Sequence, residues 1–188
     1  MPLVLFGLLF LDFQTGLADE WNIDQLMQGM AQRQSSHAHF TEIKYIAMLE
    51  RPLESSGELF YTAPDRLEKR TITPKPESMI LEQGSLVIER GSRKHKVRLQ
   101  EYPELSAFIE SIRATLAGDR AALESTYGLC LTGTAEHWIL ELRPLKEQMQ
   151  AFVQSIRIAG AGNTVSSIEI NQADGDSSLM MIDSQSTP

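Results

Sequence analysis

The sequence predicts an α+β fold that is mainly antiparallel β. We expect an unclosed half β-barrel of about 10–11 strands, with helices covering its concave face. Runs of alternating apolar and polar residues recur about every ten residues, as in a meandering sheet. The turns between these runs are too short for the helical crossovers that parallel strands require. Two amphipathic helical stripes stand apart from the strands, and each needs an apolar surface to cover.

Residues 1–18 have the pattern of a signal peptide. Leu3–Leu11 is an unbroken run of apolar residues and glycine, and Gly16 and Ala18 are small residues at the positions that a signal peptidase reads. The run is shorter than the about 20 residues that span a bilayer. We therefore expect cleavage after Ala18, a periplasmic protein, one domain over residues 19–183 and a disordered tail over residues 184–188. A core element or membrane anchor is the alternative.

Composition narrows the class of protein. The formal net charge of −8 disfavours nucleic acid and anionic membrane surfaces, because both are bound through an excess of Lys and Arg. Cys130 is the one cysteine, so the chain forms no intramolecular disulfide and depends on packing for its stability. We expect a monomer that carries no cofactor.

Local residue patterns predict the first helix and the first strand. Asn22 can cap a helix over Asn22–Arg33 whose apolar residues recur at helical spacing on one face. The period then changes to two, which predicts a strand over Phe40–Leu53. Its apolar face is expected to carry Ile43, Tyr45, Ala47 and Leu49.

Ten further strands and two further helices complete the prediction. Pro103 suits a first helical position, and the apolar stripe from Leu105 to Leu116 predicts a helix over Pro103–Leu116. A short helix follows from Asp119 to Glu124. The remaining strands are expected at Gly57–Tyr61, Arg66–Thr73, Glu77–Glu82, Ser85–Arg90, Arg93–Leu99, Tyr127–Thr132, Glu136–Arg143, Ala151–Ala159, Val165–Asn171 and Ser178–Asp183.

The order of these elements resembles the LolA family from about Leu26 to Ile182. Phe40-Thr41-Glu42 is similar to the family's Phe-x-Gln strand start. Gly57–Tyr61 followed by Pro64–Leu67 resembles its Gly-x-Leu-x-Tyr and Pro-x-x-Leu hairpin, and Trp138–Pro144 resembles its Leu-x-Leu-x-Pro strand. The segments Glu77–Arg90 and Ile168–Met181 are similar to two further hairpins of the family. None of these motifs is catalytic, so the resemblance implies a protein that is not an enzyme.

Two differences from the family pattern set this chain apart from the dedicated lipoprotein carriers. Ala63 stands where dedicated lipoprotein carriers have an arginine that helps to hold the lid, and a further C-terminal segment of those carriers has no counterpart before Pro188. We therefore expect a divergent LolA-like carrier, similar to the accessory proteins of exporters that deliver lipids to the outer membrane.

The resemblance implies a periplasmic carrier of acyl chains or another lipid-like cargo, passed from an inner-membrane exporter to an outer-membrane acceptor. A ligand-free module that acts as accessory subunit of an exporter is the alternative. The carrier hypothesis requires an apolar cavity, whereas the alternative requires that the same residues form a filled core. The candidate cavity residues are Ile43, Tyr45, Leu59, Tyr61, Met79, Leu81, Leu86, Ile88, Phe108, Ile112, Trp138, Leu140 and Leu142.

Other residue patterns give weaker signals. His37 and His39 share one strand face but lack a third ligand, so we expect no metal site. Asp174-Gly175-Asp176 has too few carboxylates for a calcium loop and is expected to be a hairpin turn. A basic band, defined by Arg90, Arg93, Lys94, Lys96 and Arg98, is either a solvated edge that discourages strand pairing or a docking site for an acidic surface or lipid headgroup.

Overall fold

The computed structural model describes residues 21–184, so the expected signal peptide lies outside the described residues. Within that range the chain forms one sheet of 11 strands in the order β6-β5-β4-β3-β2-β1-β11-β10-β9-β8-β7, with every pairing antiparallel. The strands are β1 Ser35–Tyr45, β2 Leu53–Thr62, β3 Arg66–Thr73, β4 Glu77–Glu82, β5 Ser85–Arg90, β6 Arg93–Arg98, β7 Tyr127–Gly133, β8 Trp138–Pro144, β9 Val153–Ala161, β10 Thr164–Gln172 and β11 Ser177–Ser184. The helices are α1 Ile23–Ala31, α2 Pro103–Ala117, α3 Arg120–Glu124 and α4 Glu147–Gln150.

The predicted architecture is confirmed: the sheet is unclosed, because β6 and β7 stand at its two ends and do not pair with each other. Helices pack on one face, which we call the concave face, and the opposite face is the convex face. Several boundaries differ from the prediction by a few residues, and the largest difference is at β1. β1 runs from Ser35 to Tyr45, rather than from Phe40 to Leu53. The helix α4 was not predicted.

The start of α1 is fixed by a capping box, as the sequence predicts. The Asn22 side chain accepts hydrogen bonds from the backbone N–H groups of Asp24 (3.0 Å) and Gln25 (3.1 Å). In return, the Gln25 side chain accepts from the Asn22 N–H at 3.1 Å. These bonds satisfy N–H groups that have no partner inside the helix. The helix then buries Leu26 and Met30 against the sheet.

The concave face carries two apolar clusters, one at each end of the sheet. The first cluster belongs to β7–β10 and to the helices α1, α2 and α3, and its centre is the buried group Trp138, Leu140, Leu142, Ile156 and Ile158. The second cluster belongs to β3–β6 and the first half of α2. Its members are Leu67, Met79, Leu81, Leu86, Ile88, Val97, Leu99, Leu105 and Ile109.

The first cluster is solidly packed. Leu140, Leu142 and Ile156 are 0% exposed, so no void that admits water touches them. Trp138 donates its indole N–H to the Gly162 carbonyl at 2.9 Å. A Cβ atom on Gly160 would lie 2.4 Å from the Trp138 ring, so the ring needs glycine at this position. This cluster is the stable core of the described chain.

The crossing of α1 and α2 depends on Gly118. This residue ends α2 with a φ of 67°, a left-handed conformation that glycine adopts without strain. A Cβ atom here would lie 2.1 Å from the Met27 carbonyl oxygen of α1. Just after the C-terminal end of α1, the Arg33 guanidinium donates to Thr164 Oγ1 at 2.6 Å and to Asn163 Oδ1 at 3.1 Å. The C-terminal half of α1 is therefore held by both α2 and the sheet.

We predict a pH dependence from Tyr127, whose side chain is buried in the first cluster. Burial raises the pKa of Tyr127 to about 12 from 10.0, while neighbouring Ser111 acts weakly in the opposite direction. The unfolded chain ionises near pH 10, so the stability from neutral Tyr127 is complete below pH 10 and is lost as the pH rises toward 12. Tyr127→Phe should flatten this decline in thermal unfolding temperature.

At neutral pH the same variant should be no less stable than the parent. The Tyr127 hydroxyl is buried and makes no hydrogen bond of ordinary geometry with a described residue, and such a group costs free energy. Tyr102→Phe is the control, because Tyr102 is exposed. An equal alkaline decline in the parent and both variants would contradict the prediction.

Candidate functional site

The second cluster is less well sealed than the first. Only Leu81, Leu86 and Leu99 are buried in it, at 5–7% exposure. The other members keep part of their surface accessible, although all lie on the concave face or on the side of α2 that faces it. A group of apolar side chains that is covered but not sealed is the geometry of a surface that can accept an apolar ligand.

The helix α2 covers both clusters at once. Leu105 and Ile109, in its first half, pack on the second cluster, whereas Phe108, Ile112 and Leu116 pack on the first. One rigid helix therefore links the packed end of the sheet to the end that is not sealed.

Arg113 ties α2 to the β2–β3 hairpin. Its guanidinium donates to the Pro64 carbonyl at 3.3 Å and is held by Glu110, with an Nε–Oε1 distance of 2.8 Å, and by Asp119 at 3.4 Å. These hydrogen bonds to acidic groups raise the pKa of Arg113. The helix is thus fastened to the sheet by one side chain beside the second cluster.

Tyr61 lies near the contact between Arg113 and the β2–β3 hairpin. Burial raises the pKa of the Tyr61 hydroxyl, while Arg113 lowers it and Asp65 raises it by their charges. The hydroxyl is buried and has no hydrogen-bond partner among the described residues. A neutral tyrosine therefore borders the second cluster.

A buried ion pair on the concave face joins β1 to β3. The Glu42 carboxylate of β1 binds the Lys69 ammonium of β3, and it also contacts Lys44 Nζ at 3.5 Å and the Ser55 hydroxyl at 3.3 Å. Lys69 Nζ lies 4.7 Å from the centre of the Phe40 ring. The Glu42 side chain is 6% exposed and that of Lys69 is 24% exposed.

Burial lowers the pKa of Lys69, and the charge of Glu42 offsets part of this effect. The opposite charges compensate each other where water is largely excluded. The pair places a charge from β1 and a charge from β3 on the concave face, beside the buried ring of Phe40.

The structure brings together eleven of the thirteen candidate cavity residues on the helix-covered side of the sheet. They fall into three groups. Met79, Leu81, Leu86 and Ile88 belong to the second cluster. Phe108, Ile112, Trp138, Leu140 and Leu142 belong to the packed first cluster. Leu59 and Tyr61 lie on β2, next to the second cluster.

Ile43 and Tyr45 are placed on the convex face, which corrects the predicted orientation of β1. The buried residues of this strand are Ala38, Phe40 and Glu42, whereas Tyr45 is 55% exposed. The apolar alternation that suggested the opposite face continues past Tyr45, where the strand has already ended. Because side chains alternate, a shift of one residue moves the whole set to the other face.

Five residues of the second cluster were not among the candidates: Leu67, Val97, Leu99, Leu105 and Ile109. The sequence held a signal for two of them, since Leu105 and Ile109 lie on the apolar stripe of the predicted helix. The Glu42–Lys69 pair had no sequence signal, because β1 and β3 are not neighbours in the sheet.

The histidine pair and the Asp174-Gly175-Asp176 segment have structural contacts. His37 stacks on Phe60 with ring centres 4.5 Å apart and contacts Glu58 at 3.1 Å. Asp174 and Asp176 form the β10–β11 turn, where Asp176 accepts the Ala47 N–H at 2.9 Å. In the described part of the chain, no three potential metal ligands cluster. No helix within residues 21–184 is long and apolar enough to cross a membrane.

The basic band does not form one surface. Strand alternation and register place Arg90 and Arg93 on the concave face, opposite each other in the β5–β6 hairpin. Lys94, Lys96 and Arg98 point to the convex face, where Lys94 pairs with Glu89 at 2.7 Å. The band is therefore two separate groups of charges at the β6 edge.

An unclosed antiparallel sheet whose concave face lies under helices defines a class of binding or carrier proteins. This chain belongs to the family described as outer membrane lipoprotein carrier protein LolA-like, whose model matches residues 15–186. The family is named for carriage and not for an enzymatic reaction. Among curated proteins, none matches the sequence.

Solved structures are similar to this chain at low sequence identity. A LolA superfamily protein, NE2245 from Nitrosomonas europaea, is 8% identical with a TM-score of 0.47 over 89% of this chain and 96% of that one. MucB in the MucA/MucB complex of Pseudomonas aeruginosa is similar at 14% identity and a TM-score of 0.49. That match covers 88% of this chain and 58% of the other.

The contrast between the two clusters leads to a stability prediction. Leu140→Ala should cost about 3–5 kcal/mol, because a fully packed leucine leaves a void. Ile88→Ala should cost about 2 kcal/mol or less, since Ile88 is only partly buried. Urea unfolding of both variants beside the parent measures the difference. Equal losses would show that the two clusters are packed alike.

The Glu42–Lys69 pair leads to a second prediction. Glu42→Leu should destabilise the protein by about 1–3 kcal/mol, because it leaves Lys69 partly buried beside another cation, Lys44. Adding Lys69→Met to Glu42→Leu should restore most of the loss, since two apolar groups replace a desolvated pair. Free energies from urea unfolding complete the double-mutant cycle. Additive losses in the double variant would mean that the two side chains do not interact.

Proposed function

We propose that this protein is a periplasmic carrier that binds acyl chains, or another lipid-like cargo, on the second cluster beneath α2. In this proposal it receives cargo from an inner-membrane exporter and delivers it to an acceptor at the outer membrane. Membership in the LolA-like family supports carriage. The observation that carries the proposal is the incomplete burial of Met79, Ile88, Val97, Leu105 and Ile109 on the covered face.

The energetics support binding at this place. Each buried CH₂ group contributes about 0.8 kcal/mol, so a chain segment of about ten such groups contributes about 8 kcal/mol before ordering costs. The receiving side chains are already ordered by the sheet and by α2, which keeps those costs low. Met79 adds a flexible thioether that adapts to chains of different shape. In the first cluster, by contrast, more than half of the members are buried.

The proposed cavity therefore has fewer lining residues than the sequence analysis suggested. We place it between β2–β6 and the first half of α2, with Leu59, Tyr61, Met79, Leu81, Leu86 and Ile88 as its sheet lining. Trp138, Leu140 and Leu142 instead support the sheet end on which α2 is anchored. We propose that cargo enters the cavity when α2 moves about that anchor.

One observation favours the second candidate, a ligand-free interaction module. The convex face exposes Ile43, Tyr45, Leu179 and Met181 on the adjacent strands β1 and β11, with Tyr45 and Met181 more than half exposed. Such a patch suits contact with a protein partner. In this candidate the second cluster serves only as core, and the sheet docks through its convex face.

The binding of cis-parinaric acid, a fluorescent fatty acid, separates the two candidates. The parent should bind it, and Ile88→Asp should lose the binding because a charge enters the second cluster. Val87→Asp is the matched control: Val87 is the preceding residue of β5 and faces the convex side. Should Ile88→Asp fail to fold, Met79→Trp fills the same space without a charge and should also weaken binding.

Two results would contradict the carrier proposal. A parent that retains no fatty acid, and that copurifies without organic-extractable lipid, would favour the interaction module. Equal loss of binding in Ile88→Asp and Val87→Asp, with both variants folded, would remove the second cluster as the site. Thermal unfolding of each variant is measured beside binding, so that misfolding is recognised.

A further inference from the structure

The concave face of β2–β6 changes from apolar to charged along the direction of its strands. Strand pairing defines three rows that cross these strands. The apolar row is Tyr61, Leu67, Leu81, Leu86 and Val97. The middle row is Leu59, Lys69, Met79, Ile88 and His95. The charged row is Gly57, Thr71, Glu77, Arg90 and Arg93.

The helix α2 covers only one end of this gradient. Leu105 and Ile109 pack with the apolar row, in which Leu81 and Leu86 are 5% and 7% exposed. Arg90 and Arg93, by contrast, are exposed at the other end, together with His95. A ligand on this face would therefore have one end covered by the helix and the other end in contact with charges and water.

The charged end is positive, although the whole chain has a formal net charge of −8. Arg90 is bound to Glu77, and Lys44 and Lys69 share the single carboxylate of Glu42. Arg93 has no ion pair with any residue of the described range. Four cations thus face two carboxylates on this part of the face, which leaves a local excess of positive charge.

We propose that the face selects an amphiphile with an anionic headgroup, a carboxylate or a phosphate. The apolar chain lies on the apolar row under α2, and the headgroup lies at Arg90 and Arg93. This inference rests on the proposed carrier function and adds to it the orientation and the headgroup chemistry of the cargo. A guanidinium binds both anions through paired N–H donors, and Arg93 has those donors available.

The test compares cis-parinaric acid with its uncharged methyl ester on the full chain. The parent should bind the acid about tenfold more tightly than the ester at low salt, and the difference should shrink at high salt. Arg93→Glu should weaken binding of the acid about tenfold and leave binding of the ester unchanged. Lys96→Glu is the matched control, since it makes the same change of charge on the convex side of the same strand.

Each outcome has a defined meaning. A parent that binds neither compound contradicts the carrier proposal itself. A parent that binds both equally, or an acid affinity that Arg93→Glu and Lys96→Glu reduce equally, overturns the headgroup inference but leaves the carrier proposal standing. Inorganic phosphate at the concentration of the fatty acid should not displace it. Displacement would mean that the charged row binds free anions instead of an amphiphile, and would also overturn the inference.

Discussion

The structure depends on the cover that helices give to one face of an unclosed sheet. Eleven strands in a single open sheet present more apolar surface than the sheet can bury against itself, and α2 supplies cover at both ends of that surface. Its second half is fixed by the packed first cluster and by its crossing with α1 at Gly118. Its first half packs on the second cluster through Leu105 and Ile109 and on the first cluster through Phe108. The fold therefore has one densely packed end and one end that is covered but not sealed.

The Glu42–Lys69 pair interrupts part of the apolar surface between the two clusters. Glu42 puts a charge on the inner face of the central strand β1, and Lys69 reaches it across β2. Beside the pair, Ala38, Phe40 and Tyr61 are buried apolar residues that belong to neither cluster. Since a desolvated pair of this kind contributes little net stability, its effect is to interrupt the core.

Much of the fold follows from local patterns in the sequence. The Asn22 cap, the apolar stripe of α2 and the hairpin turns with their short strands all specify elements without tertiary information, and the structure has them where they were expected. The sequence did not predict which face of β1 is buried, because the inner face carries Glu42 and the outer face carries Ile43 and Tyr45. The apolar–polar pattern indicates the wrong face there, since only the folded sheet brings the buried Glu42 next to Lys69. The division of nine inward-facing candidates between the two clusters, with Leu59 and Tyr61 in neither, likewise depends on where α2 lies.

The basic residues at the β6 edge of the sheet also differ between its two faces. An unclosed sheet has exposed edge strands, and lysine on an outward side discourages pairing with other chains. Lys94 and Lys96 on the convex side of β6 meet that need by themselves. Arg90 and Arg93 point the other way, toward the covered apolar surface, and Arg90 lies on β5, which is not an edge strand. Outward lysines that protect the edge therefore account only for the convex members of the basic band. For the two concave arginines, the proposed function offers an explanation, because both could hold a negatively charged group at the charged end of the second cluster.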